Sequence, residues 1–245
     1  MTIIIALKVA AGLVLATDSR LTIQEDGRTV FLSDTNTKLF ALKGQPVGIM
    51  TCGSSFLQGR AVASWLESFA NHRAPARTCT FEEIVEVLVA YLPPPDQGSV
   101  TLVLAGFGPG ATQGTDAQLY KITIFASGEV HRFDLSNSAI FWDGEFEAIT
   151  RLLLGFAPVY GNLLTGSAEF GQGEARVPYY AFTLEEGVDY LEFLATTQVR
   201  FQRFASVPPT CGGPIDIAAI TPEQGFEWVK SKKLRMSTMS QGQMP

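Results

Sequence analysis

The chain has 245 residues, 46% hydrophobic and 17% charged, a balance that suits one large or two small globular domains and excludes a disordered or fibrous protein. Eighteen basic against 24 acidic residues leave a net charge of -6, which argues against a general phosphate-binding surface and predicts no nucleic-acid partner. Cys52, Cys79 and Cys211 are odd in number and form no CxxC or Cys/His cluster, so the sequence predicts neither a zinc site nor a disulfide framework, and a reducing cytoplasm suits it best.

The chain opens MTIIIALKVAAGLVLATDSRL, and its first residues already read as core. Ile3, Ile5, Leu7 and Val9 share one face of a strand and Ile4 and Ala6 the other, before Lys8 reaches solvent. Ala10-Ala11-Gly12 turns the chain back into LVLATDS, which predicts a hairpin of two strands covered on both sides. The start lacks a basic n-region and is interrupted by Lys8, so it reads as a mature terminus rather than a signal peptide. No later stretch stays apolar for the roughly 20 residues a membrane span needs. TNTKLFAL and PVGIMTCG repeat the strand pattern around a turn at Lys43-Gly44.

The stretch SSFLQGRAVASWLESFANHR carries Phe56, Val62, Ala63, Leu66 and Phe69 at helical spacing and predicts a first helix. In TFEEIVEVLVAYL, Thr80 and Glu83 form a capping box and Pro93-Pro94-Pro95 ends the second helix. SVTLVLAGF and QLYKITIFASGEVHRF read as strands. TLEEGVDYLEFLATTQVRFQRF repeats the capping box with Thr183 and Glu186, with Leu184, Val188, Leu191 and Leu194 on its apolar face. PIDIAAITPEQGFEWV closes the series with two more strands. The segregation of helices from antiparallel strands predicts an α+β fold, two sheets stacked between helical layers in an αββα sandwich. It reads as a single domain over 1–236, followed by a tail, 237–245, without periodicity.

Thr2 is the first residue with chemical promise. Removal of Met1 before a small residue would leave its hydroxyl and a free α-amine on one residue, a nucleophile beside its own base. An α-amine has an ordinary pKa of about 7.7–8.0, and a depression of one unit costs about 1.4 kcal/mol, which a nearby cation can supply. That chemistry asks for a buried lysine and an acid to hold it charged. Lys38, in an otherwise apolar TKLFAL, and Asp18, at the end of the second strand, are the candidates. Taken by themselves, they read more simply as an edge-strand charge and a turn residue.

With these residues in view, MTIIIALKVAAGLVLATDSRLT resembles the start of a mature proteasome β subunit, with threonine first, a hairpin, and an Asp-Ser-Arg triplet after it. TKLFAL resembles that family's lysine strand, and IMTCGSS the strand that supplies the oxyanion hole. TLVLAGF with QLYKITIFASGEV resembles its central hairpin, and TLEEGVDYLEFLATT with GGPIDIAAITPEQGFEWV its last helix and closing strands. The resemblance covers most of the chain in order. It implies an N-terminal nucleophile hydrolase in which Thr2 is nucleophile and base, Lys38 lowers the amine pKa, Asp18 orients Lys38, and the Gly53 N–H, or that of Cys52 one residue earlier, holds the oxyanion. Arg20 matches a supporting arginine. The implied substrate is a peptide or unfolded protein, processed in a homo-oligomer that encloses the site. No cofactor or metal is implied, and an ATPase partner is left open.

The chain also departs from that pattern. Where the family has a serine in a Gly-Ser-Gly turn, this chain has FWDGEF, with Asp143 in the serine's place. The family's late aspartate falls near QRFASVPP, where Phe204 stands and Ser206 or Thr210 supplies the remaining hydroxyl. The nearest resemblance is to the bacterial subgroup without a propeptide, HslV and Anbu, and the insertion between Arg20 and Lys38 with the divergent second half favours an Anbu-like or other relative over HslV itself. Three functions fit: a threonine-type endopeptidase, a non-proteolytic amidase or acyltransferase on the same fold, and a catalytically silent scaffold subunit. Elsewhere, GFGPG at 106–110 lacks the lysine of a phosphate loop, GSS at 53–55 is no nucleophile elbow, and Cys52 reads as a small core residue.

Overall fold

Strand β1 (Ile3–Val9) and strand β2 (Gly12–Thr17) pair as the predicted hairpin, and all but Lys8 of their side chains are buried. The computed structural model describes residues 2–25, 28–164, 174–205 and 209–232. Met1, Ser206 and the expected tail at 237–245 lie outside the described residues. Lys8 reaches solvent only in part, short of what the alternation suggests. It is half-buried, and its ammonium donates to the carbonyls of Ala117, at 2.7 Å, and Ser136. Burial pushes its pKa down, opposed by Asp134.

The insertion after Arg20 forms a two-stranded ribbon, β3 (Leu21–Glu25) and β4 (Arg28–Ser33). Strand β5 is only Leu39–Ala41, shorter than TNTKLFAL suggests, and it pairs with β6 (Val47–Gly53). The predicted first helix begins later than its apolar spacing implies. Residues 56–61 instead form a minute hairpin, β7 (Phe56–Leu57) and β8 (Arg60–Ala61), turned by left-handed backbone at Gln58 (φ 48°) and Gly59 (φ 72°) that a helix cannot hold. Helix α1 (Val62–Ser68) then runs into a wider turn over Phe69–Arg73.

Helix α2 (Phe81–Tyr91) starts at the predicted capping box, with the Glu83 N–H donating to Thr80 Oγ1 at 3.2 Å and the Thr80 N–H to Glu83 Oε2 at 2.6 Å. Strands β9 (Ser99–Gly106), β10 (Gln118–Phe125) and β11 (Val130–Asp134) follow as an antiparallel meander. FWDGEF supplies a strand that the sequence did not announce, β12 (Ile140–Gly144), before helix α3 (Glu147–Leu154) and a single turn, α4 (Gly161–Leu164). Helix α5 (Leu184–Arg203) carries the second capping box, and β13 (Asp216–Thr221) and β14 (Gly225–Lys230) close the described chain.

The result is a mixed α/β fold built on two five-stranded antiparallel sheets, in the orders β12-β1-β2-β13-β14 and β11-β10-β9-β6-β5. Three apolar clusters hold it together. One, around Phe69, Phe81 and Leu88, packs α1 and α2 on the second sheet. Another, around Ile5, Val14, Leu191 and Leu194, packs α3 and α5 on the first. The third, with Ile4, Leu15, Met50 and Val103, joins the sheets to each other. β1 and β2 therefore contribute one face to each of two clusters, which is why their runs are apolar throughout. No helix among the described residues is long and apolar enough to cross a membrane.

Candidate active site

The site is built around one peptide bond. The Thr2 carbonyl accepts the Glu145 N–H at 2.7 Å, and the Ile3 N–H of the same peptide donates to Asp18 Oδ1 at 2.9 Å. β12 pairs with β1 so that Ile3 lies opposite Gly144, and a Cβ on Gly144 would fall 1.9 Å from the Thr2 carbonyl oxygen. With φ at 88°, this position takes glycine on both steric and backbone grounds. The Thr2–Ile3 peptide is thus clamped from both sides at the start of β1.

Asp18, directly after β2, collects donors from four segments. Its Oδ1 accepts Lys38 Nζ at 2.7 Å as well as Ile3 N, and its Oδ2 accepts the Gly212 N–H at 2.8 Å and the Arg20 N–H at 3.2 Å. Both partners of the Lys38–Asp18 pair are buried, with side chains 4% and 0% exposed. Burial pushes the Lys38 pKa below its ordinary value, and the Asp18 carboxylate pulls it back. Such a pair resists separation, because removing one partner leaves a desolvated charge in the interior. The Lys38 carbonyl, in turn, accepts the Thr51 N–H at 3.0 Å, which ties the lysine backbone to β6.

Thr2 and Lys38 open on one cleft, lined also by Arg20, Thr51, Cys52 and Gly53. Both candidates for the oxyanion amide, Gly53 and Cys52, therefore line the same cleft as Thr2. Burial raises the Cys52 thiol to about 12, with Asp143 adding to the effect, which leaves it protonated and unfit as a nucleophile at neutral pH. The Thr22 and Thr51 hydroxyls in the lining have no hydrogen-bond partner among the described residues.

The remaining predicted residues divide. Arg20 lines the cleft and pairs with Asp34 through two bonds, Nε to Oδ1 at 2.7 Å and a terminal nitrogen to Oδ2 at 2.8 Å. Asp143 sits opposite Ile4, is not among the cleft-lining residues, and has both oxygens engaged: Oδ2 with Lys121 Nζ at 2.5 Å, Oδ1 with the Gly144 N–H at 2.7 Å. Phe204 is exposed. The Thr210 hydroxyl donates to Glu145 Oε1 at 2.7 Å, beside the residue whose backbone holds Thr2.

Sequence reasoning did not single out Glu145, Gly212 or Asp34. Two of these act through backbone N–H groups, which leave no residue-type signature. The one available signal was the Gly212-Gly213 doublet just before a strand, a mark of close backbone approach: a Cβ on Gly212 would lie 2.6 Å from Arg20 Cζ. Among the described residues no cluster of three or more His, Cys, Asp or Glu could hold a metal ion.

No protein-family profile matches the chain, and no curated protein is similar to it in sequence. Solved structures are similar in fold. An Anbu protein of Hyphomicrobium sp. strain MC1, in a Gly-1 mutant, superposes with a TM-score of 0.57 at 14% identity, over 96% of this chain and 89% of that one. A second structure of Anbu from that strain gives 0.57 at 14% identity, over 93% and 85%. The helical assembly of the Anbu complex from Pseudomonas aeruginosa gives 0.55 at 16% identity, over 95% and 88%. At these identities the likeness is one of fold, spread over nearly the whole chain.

Proposed function

We propose that the chain is an Anbu-like threonine-type peptidase on a four-layer αββα sandwich, active after loss of Met1. The observation that carries this reading is the buried Lys38–Asp18 pair: Lys38 lines the same cleft as Thr2, while Asp18 behind it holds the Thr2–Ile3 peptide. A free Thr2 α-amine takes the proton of its own hydroxyl as the oxygen attacks the substrate carbonyl. The Lys38 ammonium keeps that amine from being protonated beforehand, since a charge at about 4 Å is worth about 4 kcal/mol at intermediate dielectric. The oxyanion is met by the N–H of Gly53 or Cys52. Collapse breaks the C–N bond, the leaving amine takes the proton, and water activated by the same α-amine hydrolyses the Thr2 ester.

The fold shared with a protein described as a helical assembly supports a homo-oligomer here, and so does a stretch of exposed apolar side chains, Val30, Phe31 and Leu32, on β4, whose partner strand β3 lines the cleft with Leu21 and Thr22. A silent scaffold is the second reading, and Asp143 favours it: with both oxygens engaged by Lys121 and Gly144, this carboxylate does not replace the family serine as a partner for the amine.

The native protein, treated with a peptide epoxyketone that needs both hydroxyl and amine, decides between them by intact mass. Loss of Met1 and one adduct on the wild type, with none on Thr2→Ala, is the expected result. Retained Met1, or a free Thr2 that gives no adduct, overturns the peptidase reading in favour of the scaffold. Turnover of a small amide with unfolded protein left intact would instead mark an amidase.

A further inference from the structure

Helix α5 ends beside the site, and its buried face carries two glutamines one turn apart, Gln198 and Gln202. Gln198 Oε1 accepts the Ala148 N–H at 2.8 Å, in the first turn of α3, just past the loop that clamps Thr2. Gln202 is used more fully. Its Oε1 accepts the N–H groups of Thr210 and Cys211, each at 3.0 Å, and lies 3.0 Å from Cys211 Sγ. Its Nε2 donates to Thr210 Oγ1 at 3.1 Å.

From that one amide two routes reach the site. The Thr210 hydroxyl passes on to Glu145 Oε1, and the Glu145 N–H holds the Thr2 carbonyl. Cys211 leads directly to Gly212, whose N–H holds Asp18 Oδ2. Neither Gln202 nor Thr210 nor Glu145 lines the cleft, so none of them touches what the cleft binds. Leucine at 202 would fill the space with no hydrogen bond, and glutamate would lose the donor to Thr210; only an amide of this length serves both routes.

We propose that Gln202 is a positioning residue, which sets the Thr2 carbonyl through Thr210 and Glu145 and the Asp18 carboxylate through Cys211 and Gly212, and so fixes the distance between nucleophile and lysine pair. Its effect on chemistry rests on the Thr2 reading above; its effect on geometry does not. Groups that position a reacting set from outside it matter to the rate, because a displacement of about 1 Å can cost about a hundredfold.

The test uses the full chain and two readouts. In Gln202→Leu, amide hydrogen exchange should quicken at Glu145 and Gly212 and stay unchanged in β9. Modification by a peptide epoxyketone at saturation should slow by roughly ten- to a hundredfold, with the half-saturating concentration unchanged. The acid limb of its pH profile should move upward, since a Lys38 less firmly held by Asp18 depresses the amine less. Thr210→Ser should keep wild-type behaviour, and Thr210→Val should loosen Glu145. Glu145 and Gly212 amides as protected in folded Gln202→Leu as in wild type would overturn the proposal, as would a slower reaction with an unmoved pH profile. If exchange in β9 also rises, the Thr210 pair decides in its place. A wild type that gives no adduct sinks the threonine chemistry alone, and the exchange data still decide the positioning.

Discussion

Two buried lysine–aspartate pairs have their aspartates at the ends of neighbouring strands of one sheet, β2 and β13, and they are built differently. Asp18 follows β2 and pairs with Lys38; Asp216 opens β13 opposite Thr17 and pairs with Lys232. Their burial is nearly the same, side chains 4% and 0% exposed against 9% and 2%. Asp18, however, takes donors from Ile3, Arg20, Lys38 and Gly212, whereas Asp216 takes both a backbone N–H and an ammonium from one residue, Lys232. The first is a junction whose lysine lines a cleft; the second fastens the chain that leaves β14. Burial of an ion pair therefore says little about chemistry, and convergence of separate segments on it says more.

The sharpest way to break this comparison is to remove each partner of the first pair in turn. Asp18→Asn replaces a carboxylate surrounded by donors with a group that is itself half donor, and it leaves Lys38 buried and unpaired. Its expected cost is about 3–5 kcal/mol of stability in urea unfolding, together with loss of epoxyketone modification. Lys38→Met should lose the modification as completely but less stability, because the Ile3, Arg20 and Gly212 N–H groups still satisfy the carboxylate. Equal losses of stability in the two variants would mean that Asp18 is held by Lys38 alone and is no junction.

Asp216→Ala is the counterpart. It strands Lys232 and should cost roughly 3 kcal/mol, at the low end for a broken buried pair, since the Lys232 side chain, at 9% exposure against 4% for Lys38, is already nearer to water. The folded fraction should react with the epoxyketone at the wild-type rate. A slowed reaction per folded molecule would show that the two pairs are coupled across the Thr17–Asp216 register.

The contrast also explains what could be read from the sequence. Thr2, Asp18, Lys38 and Gly53 lie within strands or beside them, where apolar periodicity fixes position, and a lysine in TKLFAL is conspicuous against its neighbours. Helices α2 and α5 were legible at their starts because a capping box is a side-chain signature. The hairpin at 56–61 was not, since its apolar residues match helical spacing and only the Gln58-Gly59 backbone excludes a helix. Gly212 and Glu145 were hidden for a different reason: they hold Asp18 and the Thr2 carbonyl through backbone N–H groups, and any residue type but proline supplies one. Gln198 and Gln202 did leave a trace, as polar residues on a helix face otherwise given to Leu191, Leu194 and Ala195.

A third pair in the same neighbourhood sets the lower limit of the comparison. Arg20 and Asp34 make a two-bond contact at the cleft rim with side chains 17% and 38% exposed, so water screens much of their attraction. The hydrogen bonds from Arg20, more than its charge, hold the Asp34 pKa below the ordinary carboxylate range, and Asp34 raises that of Arg20. A carboxylate whose folded pKa is depressed contributes stability above its unfolded pKa and loses it as pH falls through the folded value. Asp34→Asn should therefore cost about 0.5 kcal/mol in urea unfolding at neutral pH, with the gap to wild type closing in acid below the usual carboxylate range. A gap that persists in acid would mean that Asp34 holds the rim through contacts indifferent to its charge. Arg20 would then be fixed by its terminal nitrogen on the Cys211 carbonyl at 3.4 Å, and the rim would belong to the same loop that carries Gly212 to Asp18.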